Sequence, residues 1–325
     1  MCISPRSGLD NGKDSSSSSA AARTDLHTTF LTPMLPFLII GAGIIHGWLQ
    51  EELMGSLGGQ SPLIITSFEF VCCTALSIGW LLTNQCSLRA PHLQLFQMSL
   101  LVLASLVAGN LALHWVSYPV KVVLKSTKLL PTMAIGALLL GKTYAFTDCI
   151  AALLLCIGLI GFTWTDSGTS GSTTASSPAG VALLMVAVTC DSLQVLLQEK
   201  VMRSWPHLTP MHVMAHTNGF ALVVLTPFLF GTIDWSELPR DLPWRTLVLY
   251  GSSAWIGICS FIALTRQWGA SAAVITTNSR KVATVVVSFI VFPKTLEPSF
   301  VLSGCLVIAG IYLHSQGRHK RGKIS

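Results

Sequence analysis

The chain has 325 residues, of which 51% are hydrophobic and only 10% are charged. Soluble domains carry about 25% charged residues, so this composition and a mean hydropathy of +0.63 exclude an ordinary soluble protein. The net charge is +6, and the apolar residues fall in long runs, each near the ~20 residues that a spanning helix needs. We therefore predict a polytopic membrane protein.

Ten apolar runs follow one another along the chain, and they are continuous rather than alternating. Continuous runs of this length predict α-helices, because the strands of a membrane barrel would alternate apolar and polar residues. The predicted spans are 33–50, 62–82, 94–116, 118–140, 144–164, 179–200, 209–231, 245–265, 269–292 and 297–316.

The predicted spans divide the chain into five parts. Residues 1–32 are polar and Ser-rich and lack the apolar segment of a cleavable signal, so we expect a disordered tail before an uncleaved first span. Two five-span halves, 33–164 and 179–316, flank a Ser/Thr/Gly-rich linker at 165–178. A basic tail occupies 317–325.

The Lys and Arg residues outside the spans favour one orientation. If both termini face the cytosol, 12 of the 20 Lys and Arg residues lie on the cytosolic side. Cytosolic loops of membrane proteins carry the excess of Lys and Arg, so we predict this orientation. The cytosolic set is Arg6, Lys13, Arg23, Arg89, Lys142, Lys200, Arg203, Arg266, Arg318, Lys320, Arg321 and Lys323, and the opposite set is Arg240, Arg245 and Lys294.

The nine cysteines and the histidines give no sign of a metal or cofactor. One adjacent pair, Cys72-Cys73, is present and no CxxC, and most cysteines lie inside apolar runs, which is typical of small buried hydrophobic residues. His212 and His216 have an i, i+4 spacing that suits a metal, but no third ligand stands near them in the sequence. We predict no disulfide framework, no metal and no cofactor.

The end of each half contains a similar segment. A shift of 152 residues places Lys142-Thr143 on Lys294-Thr295 and Gly158 on Gly310. Two membrane segments share apolar letters by chance, so the polar matches carry the evidence. The segment after Lys142 therefore predicts a duplicated unit.

A second short sequence match joins the first span of each half. Leu49-Gln50-Glu51 in the first span matches Leu197-Gln198-Glu199 in the sixth. Because each half has an odd number of spans, the two copies must enter the membrane with opposite topology. We therefore predict an all-α membrane protein with ten transmembrane helices in two inverted five-helix repeats, and such proteins bind their ligand near the midplane where the halves meet.

Five cations lie within the predicted spans. A lysine at the bilayer centre costs about 2.5–3.5 kcal/mol on insertion scales. Lys121, Lys125 and Lys128 have the spacing i, i+4, i+7, which places them on one face of the fourth helix. Arg280, which the shift of 152 pairs with Lys128, and Lys281 lie mid-span in the ninth helix. We expect both sets to face a water-filled cavity that receives an anion.

Alternatives remain open for these cations. Lys121 lies a few residues from a predicted helix end, where a lysine can snorkel to the interface. Arg280 or Lys281 can instead pair with an acid. The acids in or near spans are fewer than the cations, and this excess favours a ligand with several phosphate or sulfate groups. The candidate acids are Glu69, Asp191 and Glu199.

Other polar residues in the spans are weaker candidates. Asn110 in the third span, Gln198-Glu199 in the sixth and the Thr-rich run 276–284 could hydrogen-bond to a sugar or a base. Satisfied polar contacts between helices explain them nearly as well.

The segment NLALHWVSYPVKVVLKSTKLLPTM resembles the helix three to four signature of nucleotide-sugar and nucleotide-sulfate transporters, in the drug/metabolite transporter superfamily. GWLQEEL, LLQEKVM and WGASAAVITTNSRKVATVVVSFIVFPK resemble further elements of that family, and the similarity covers about residues 35–316. The branch that carries 3′-phosphoadenylyl sulfate (PAPS) is the one that the chain resembles most. The signature falls on Asn110, Tyr118, Pro119, Lys125, Ser126, Lys128, Pro131 and Met133.

The sequence departs from the family pattern at two places. Val120-Lys121 stands where the family commonly has Thr-Gln, and Ser279 stands where Thr or Gly is frequent. Lys121 is thus an extra cation, which either tunes ligand choice or snorkels.

The resemblance implies a Golgi antiporter rather than an enzyme. It would move PAPS from the cytosol to the lumen in exchange for an adenine nucleotide such as adenosine 3′,5′-bisphosphate (PAP) or AMP. By the same resemblance and the charge argument, Lys125, Lys128, Arg280 and Lys281 would hold phosphate and sulfate groups, Asn110, Thr277 and Asn278 would contact ribose or base, and Lys121, Tyr118, Gln198 and Glu199 are further candidates.

Other interpretations remain open at the level of sequence. A carrier of UDP-galactose or UDP-N-acetylglucosamine would have the same fold, a polytopic transferase would need an acid pair, and a receptor or scaffold would show no flux. The tail RHKRGKIS resembles a Lys-based retrieval signal, which makes the endoplasmic reticulum the alternative to the Golgi. Membrane lipids are expected neighbours, nucleic acid is not a predicted partner, and a homodimer is permitted by the sequence.

Overall fold

The computed structural model describes residues 34–57, 61–84, 90–112, 127–168, 177–232, 243–279 and 298–321, together with residues 115, 116, 121, 124 and 125. The predicted N-terminal tail, residues 169–176 of the predicted linker and residues 322–325 of the predicted basic tail lie outside these ranges, whereas residues 317–321 continue the last helix.

Regular structure in the described residues is helical and contains no strand, which confirms the predicted all-α class. Five helices are long and apolar enough to cross a membrane, and four more contain shorter apolar segments. The helices are α1 (Leu35–Leu57), α2 (Ser61–Thr83), α3 (His92–Leu111), α4 (Leu129–Leu140), α5 (Phe146–Gly168), α6 (Pro178–Ser204), α7 (Pro210–Thr232), α8 (Trp244–Trp268), α9 (270–279 in the described residues) and α10 (Pro298–Arg321).

The fourth predicted span is interrupted by a turn at Thr127 and Lys128. Thr127 N donates to Leu124 O at 3.1 Å, and Leu130 N donates to Thr127 O at 3.0 Å. These i to i−3 bonds are tighter than those of an α-helix. Pro131 explains the change, because it has no N–H to donate to the carbonyl of Thr127. The single face predicted for the lysines therefore ends at this turn.

The helices pack in reciprocal pairs. α1 packs against α8 and α3 against α6; α2 packs against α8 and α3 against α7. Each helix of the first half corresponds to the helix five places later in the second half. Exchanging corresponding helices converts the α1–α8 contact into the α6–α3 contact, and the α2–α8 contact into the α7–α3 contact. The pairs α2–α7 and α5–α10 map onto themselves.

The contact between α5 and α10 is reciprocal at the level of residues. Gly158 lies against Val307, and Gly310 lies against Leu155. The sequence shift of 152 carries Leu155 to 307 and Gly158 to 310. A Cβ on either glycine would lie 2.8–2.9 Å from a backbone oxygen of the facing helix. The small residues therefore allow the two helices to approach closely.

The two largest apolar clusters of the described residues both contain helices from both halves. One includes Leu129, Leu155, Leu196, Val274 and Val307, from α4, α5, α6, α9 and α10. The other joins α2 and α3 to α6, α7 and α8.

Candidate functional site

Lys125 lines a cavity of about 300 Å³ between α1, α2, α3 and α6. Its Nζ lies 3.6 Å from Oδ2 of Asp191 on α6, and the two side chains are 33% and 29% exposed. A partly exposed pair at this distance contributes about 1 kcal/mol or less. The lining also includes Gln50, Thr66 and Asn110, and Ser105, whose buried hydroxyl has no hydrogen-bond partner in the described structure.

Gly109 on α3 makes room for two of the lysines. A Cβ at this position would lie 3.4 Å from Cε of Lys125 and 3.7 Å from Cε of Lys121. Lys121 Nζ also donates a 3.0 Å hydrogen bond to Oδ1 of Asn110. The structure thus brings Lys121, Lys125 and Asn110 together.

Lys128 lines a different cavity, of about 270 Å³, between α1, α2, α8 and α9. Its carbonyl accepts hydrogen bonds from Thr132 Oγ1 at 2.7 Å and from Ser192 Oγ on α6 at 3.3 Å. These bonds fix the turn from which the side chain extends. The turn therefore separates Lys125 and Lys128 into two cavities, whereas the sequence predicts one shared face. The polar lining is His46, Glu69, Lys128, Ser253 and Thr277.

Glu69 belongs to a polar chain across α1, α2 and α8. Tyr250 Oη donates to Oε2 of Glu69 at 2.9 Å. The Tyr250 ring stacks on His46 with ring centroids 4.2 Å apart, and His46 Nδ1 lies 3.5 Å from Tyr250 O. The sequence indicates Glu69 only as a partner for Arg280 or Lys281, and it gives no indication of His46 or Tyr250. The position of Glu69 inside an apolar span is the sequence feature that could have indicated a functional role, because a carboxylate is costly in lipid.

Glu199 is the centre of a buried ion cluster. Its side chain is 0% exposed, and its oxygens lie 2.5 and 2.6 Å from Lys142 Nζ. Arg203 Nη2 lies 2.8 Å from Oε1, and the backbone N–H of Ala270 donates to Oε2 at 2.6 Å. Gly269, with φ of +83°, lets the chain turn tightly beside the carboxylate. The cluster ties the ends of α4 and α6 to the start of α9.

A third cavity, of about 290 Å³, lies beside this cluster. Lys142 and Arg203 line it, together with Asp148 and His314, whose Oδ1 and Nδ1 lie 3.8 Å apart. Gln198, next to Glu199 in the chain, is buried, and its Oε1 accepts from Gln194 Nε2 at 3.3 Å. Gln198 and Glu199 therefore line neither of the two cavities that contain Lys125 and Lys128.

The remaining predicted residues divide into two groups. Thr277 lines the cavity of Lys128 and donates from Oγ1 to Ala273 O at 3.0 Å, and Asn278 is buried beside it in the chain. Arg280, Lys281 and Tyr118 lie outside the described residues, and their roles stay predictions.

Comparison with known proteins gives the family. A model of the UAA transporter family matches residues 33–318. The chain belongs to the UAA transporter family. A relative from Aedes aegypti named adenosine 3'-phospho 5'-phosphosulfate transporter 2 is 30% identical and aligns with 91% of this chain and 80% of its own length. A protein with the same name from Mus musculus is 30% identical over 86% of this chain and 78% of its own length.

The family and the relatives confirm the predicted resemblance, including the similarity to PAPS transporter 2. This UAA family member is therefore a transporter rather than an enzyme, and a multi-pass membrane protein. One solved crystal structure superposes with a TM-score of 0.69 over 88% of this chain and 96% of its own, at 15% sequence identity. A likeness at that identity shows a shared fold.

Proposed function

We propose that this protein is an antiporter that carries PAPS from the cytosol into the Golgi lumen in exchange for a lumenal adenine nucleotide of the PAP or AMP type. The names of its relatives support the substrate. The observation that carries the proposal is that Lys125 and Lys128 each line a cavity between helices. PAPS has about four negative charges near neutral pH, which the ammonium groups of the two lysines can bind.

In this proposal the ten helices span the membrane as two inverted repeats. The reciprocal helix pairs support that arrangement, as does the matched contact of Gly158 with Val307 and of Gly310 with Leu155. A two-fold axis in the membrane plane would produce such a pattern.

Alternating access then requires the two halves to rock around the cavities. The Glu199 cluster supports a closed cytosolic end, because it joins Lys142 of the first half to α6 and α9 of the second half. Opening toward the cytosol would separate Lys142 from Glu199, and the carboxylate would keep Arg203 as its partner on the same helix.

The substrate contacts follow from the two cavities. Lys125 and Lys128 would hold phosphate and sulfate oxygens as mobile point charges, with Arg280 as a bidentate partner. Thr277, Asn278 and Asn110 are the candidates for ribose or base, and Lys281 completes the set of cations. The separation of Lys125 from Lys128 suits a ligand with anionic groups at more than one position, which PAPS has at the 3′-phosphate and at the phosphosulfate.

A counterflow assay tests this function. Purified protein in liposomes preloaded with PAP should take up labelled PAPS, and unlabelled PAPS, PAP and AMP should compete. UDP-galactose and UDP-N-acetylglucosamine carry about two charges and should compete weakly. Strong competition by either UDP-sugar would favour the alternative carrier function, and absence of flux would contradict both.

Single substitutions locate the site. Lys128→Ala and Arg280→Ala should each abolish exchange without loss of expression, because truncating one partner of a desolvated charge contact costs about 2–5 kcal/mol. Lys200→Ala is the matched control, since Lys200 is exposed at the end of α6. Normal uptake by either site variant would remove that residue from the site.

The compartment and the assembly state need separate experiments. A tagged protein should co-localise with Golgi markers, and both termini should be accessible to antibody after selective permeabilisation of the plasma membrane. Retention in the endoplasmic reticulum would favour the retrieval signal in the basic tail. Size-exclusion chromatography with light scattering decides between a monomer and a homodimer.

A further inference from the structure

The cavity of Lys128 contains a carboxylate whose purpose the proposed function does not explain. Glu69 and Lys128 line the same space of about 270 Å³. Glu69 is the ninth residue of α2, about 12 Å along the helix from its start. A polyanion bound at Lys128 would face this carboxylate, and like charges at close range repel strongly away from bulk water.

The position of Glu69 is fixed by neutral partners. Tyr250 donates to its Oε2 at 2.9 Å, and Tyr250 is itself buried and stacked on His46. Among the described residues Glu69 forms no ion pair within 4.0 Å. The hydrogen bond from Tyr250 therefore places the carboxylate at the cavity wall, where an entering anion would meet it.

Titratable groups lie on each of the helices that pack against α2. His46 of α1 and Lys128 line the cavity together with Glu69, and Tyr250 of α8 donates to its carboxylate. Further titratable groups outside the lining of this cavity are Glu52 on α1, Cys72 and Cys73 on α2 itself, His212 and His216 on α7, and Arg245, Cys259 and Arg266 on α8.

We propose that Glu69 is a proton-binding site coupled to the anionic substrate. At mildly alkaline pH the carboxyl group is ionised while the cavity is empty, and it takes up one proton from water when a nucleotide binds beside Lys128. Protonation removes the repulsion and turns the carboxylate into an O–H donor that can bind a phosphate or sulfate oxygen. The inference rests on the proposed function and adds a proton to each loaded state of the carrier.

The sign of the pH dependence follows from linkage. The loaded protein holds one proton more than the empty protein, so affinity falls as pH rises through the range where Glu69 is ionised in the empty state. The dissociation constant should rise about tenfold per pH unit there. Substitution by glutamine should remove this slope and keep binding, because the amide is neutral like the protonated acid.

The test measures protons directly. Binding of PAP to purified protein is followed by titration calorimetry at pH 7.5–8.5 in buffers of different ionisation enthalpy. Phosphate monoesters have a second pKa of about 6, so in this pH range the phosphate groups of PAP contribute little to the measured proton uptake. Wild type should take up about one proton more per bound PAP than Glu69→Gln. His46→Gln tests whether the imidazole binds the proton instead of Glu69. Asp148→Asn changes a carboxylate that lines the cavity beside Glu199, so it is the control and should behave as wild type.

Each outcome decides the inference. Equal proton uptake by wild type and Glu69→Gln, with PAP bound by both, would overturn it and leave the proposed function standing. Loss of proton uptake in His46→Gln would move the site to the imidazole and also overturn it. If Glu69→Gln does not fold, infrared difference spectra of wild type should show a protonated carboxyl band on addition of PAP, and its absence would overturn the inference. If wild type binds no nucleotide, the proposed function and this inference both fail.

Discussion

Two carboxylates on α6, eight residues apart, meet lysines from the first half of the chain and do so very differently. Glu199 is 0% exposed, lies 2.5 Å from Lys142 and also binds Arg203 and the N–H of Ala270. Asp191 is 29% exposed, and its ion pair with Lys125 spans 3.6 Å. At the C-terminal end of α4, a lysine and a carboxylate therefore belong to a buried cluster with several bonds. Before the N-terminal end of α4, a lysine and a carboxylate form a single partly exposed ion pair.

Solvent and the number of donors account for the difference. A buried carboxylate is stable only when its oxygens are bonded, and three donor groups supply this for Glu199. The pair of Asp191 with Lys125 is hydrated and borders a cavity, so its ions can exchange partners. We infer that the first cluster maintains the conformation and that the second selects the ligand.

The largest effect is expected from Glu199→Gln. Loss of the negative charge leaves Lys142 and Arg203 facing each other without a counter-ion, which should lower the free energy of unfolding by about 3–5 kcal/mol. Thermal melting of the detergent-purified protein measures this. Glu52→Gln, at an exposed position of α1, is the control and should melt as wild type. An unchanged Tm for Glu199→Gln would show that the cluster does not stabilise this conformation.

Gly109→Leu should have the next largest effect. The larger side chain would occupy the space of Lys125 and Lys121, and overpacking of this kind costs about 1–3 kcal/mol, so exchange should fall about tenfold or more. Gly109→Ala adds only a Cβ at 3.4 Å from Lys125, an ordinary contact, and should retain most activity. Initial rates of PAPS counterflow compare the two. Equal rates would mean that the lysines do not need this space.

Asp191→Asn applies the change made at Glu199 to the open pair. The Tm should change little, because the pair contributes about 0–1 kcal/mol. Lys125 would lose its carboxylate, so affinity for PAPS should rise about two- to tenfold and depend more steeply on salt. Binding titrations at two salt concentrations measure this. A fall in Tm as large as that of Glu199→Gln would abolish the distinction between the two regions.

Lys121→Gln should have the smallest effect. The glutamine amide can still donate to Asn110, whose Oδ1 accepts from Lys121 at 3.0 Å. Exchange should stay within about twofold of wild type, since an exposed hydrogen bond contributes about 1 kcal/mol or less. Complete loss of transport would instead show that the extra lysine binds substrate.

Some residues of the candidate site can be predicted from the sequence one residue at a time, whereas their contacts cannot. Lys125, Lys128 and Asn110 were predicted because charged or amide groups inside apolar runs are costly unless they have a function. Pro131 could also have predicted the turn at Lys128, since proline interrupts the helical hydrogen bonds four residues before it. The sequence suggested Glu199 as a ligand contact. The tertiary structure shows that its two oxygens bind Lys142 and the N–H of Ala270.

The sequence by itself determined the helical class, the order of the helices and the positions of the intramembrane charges, because apolar length and the cost of a charge in lipid are local properties of the chain. Tertiary structure decided which charge meets which partner. Lys142 and Glu199 are 57 residues apart and His46 and Tyr250 are 204 apart, so packing between the halves selects these contacts. Local patterns hold no information on such pairs, and the division of the lysines between two cavities follows from that packing.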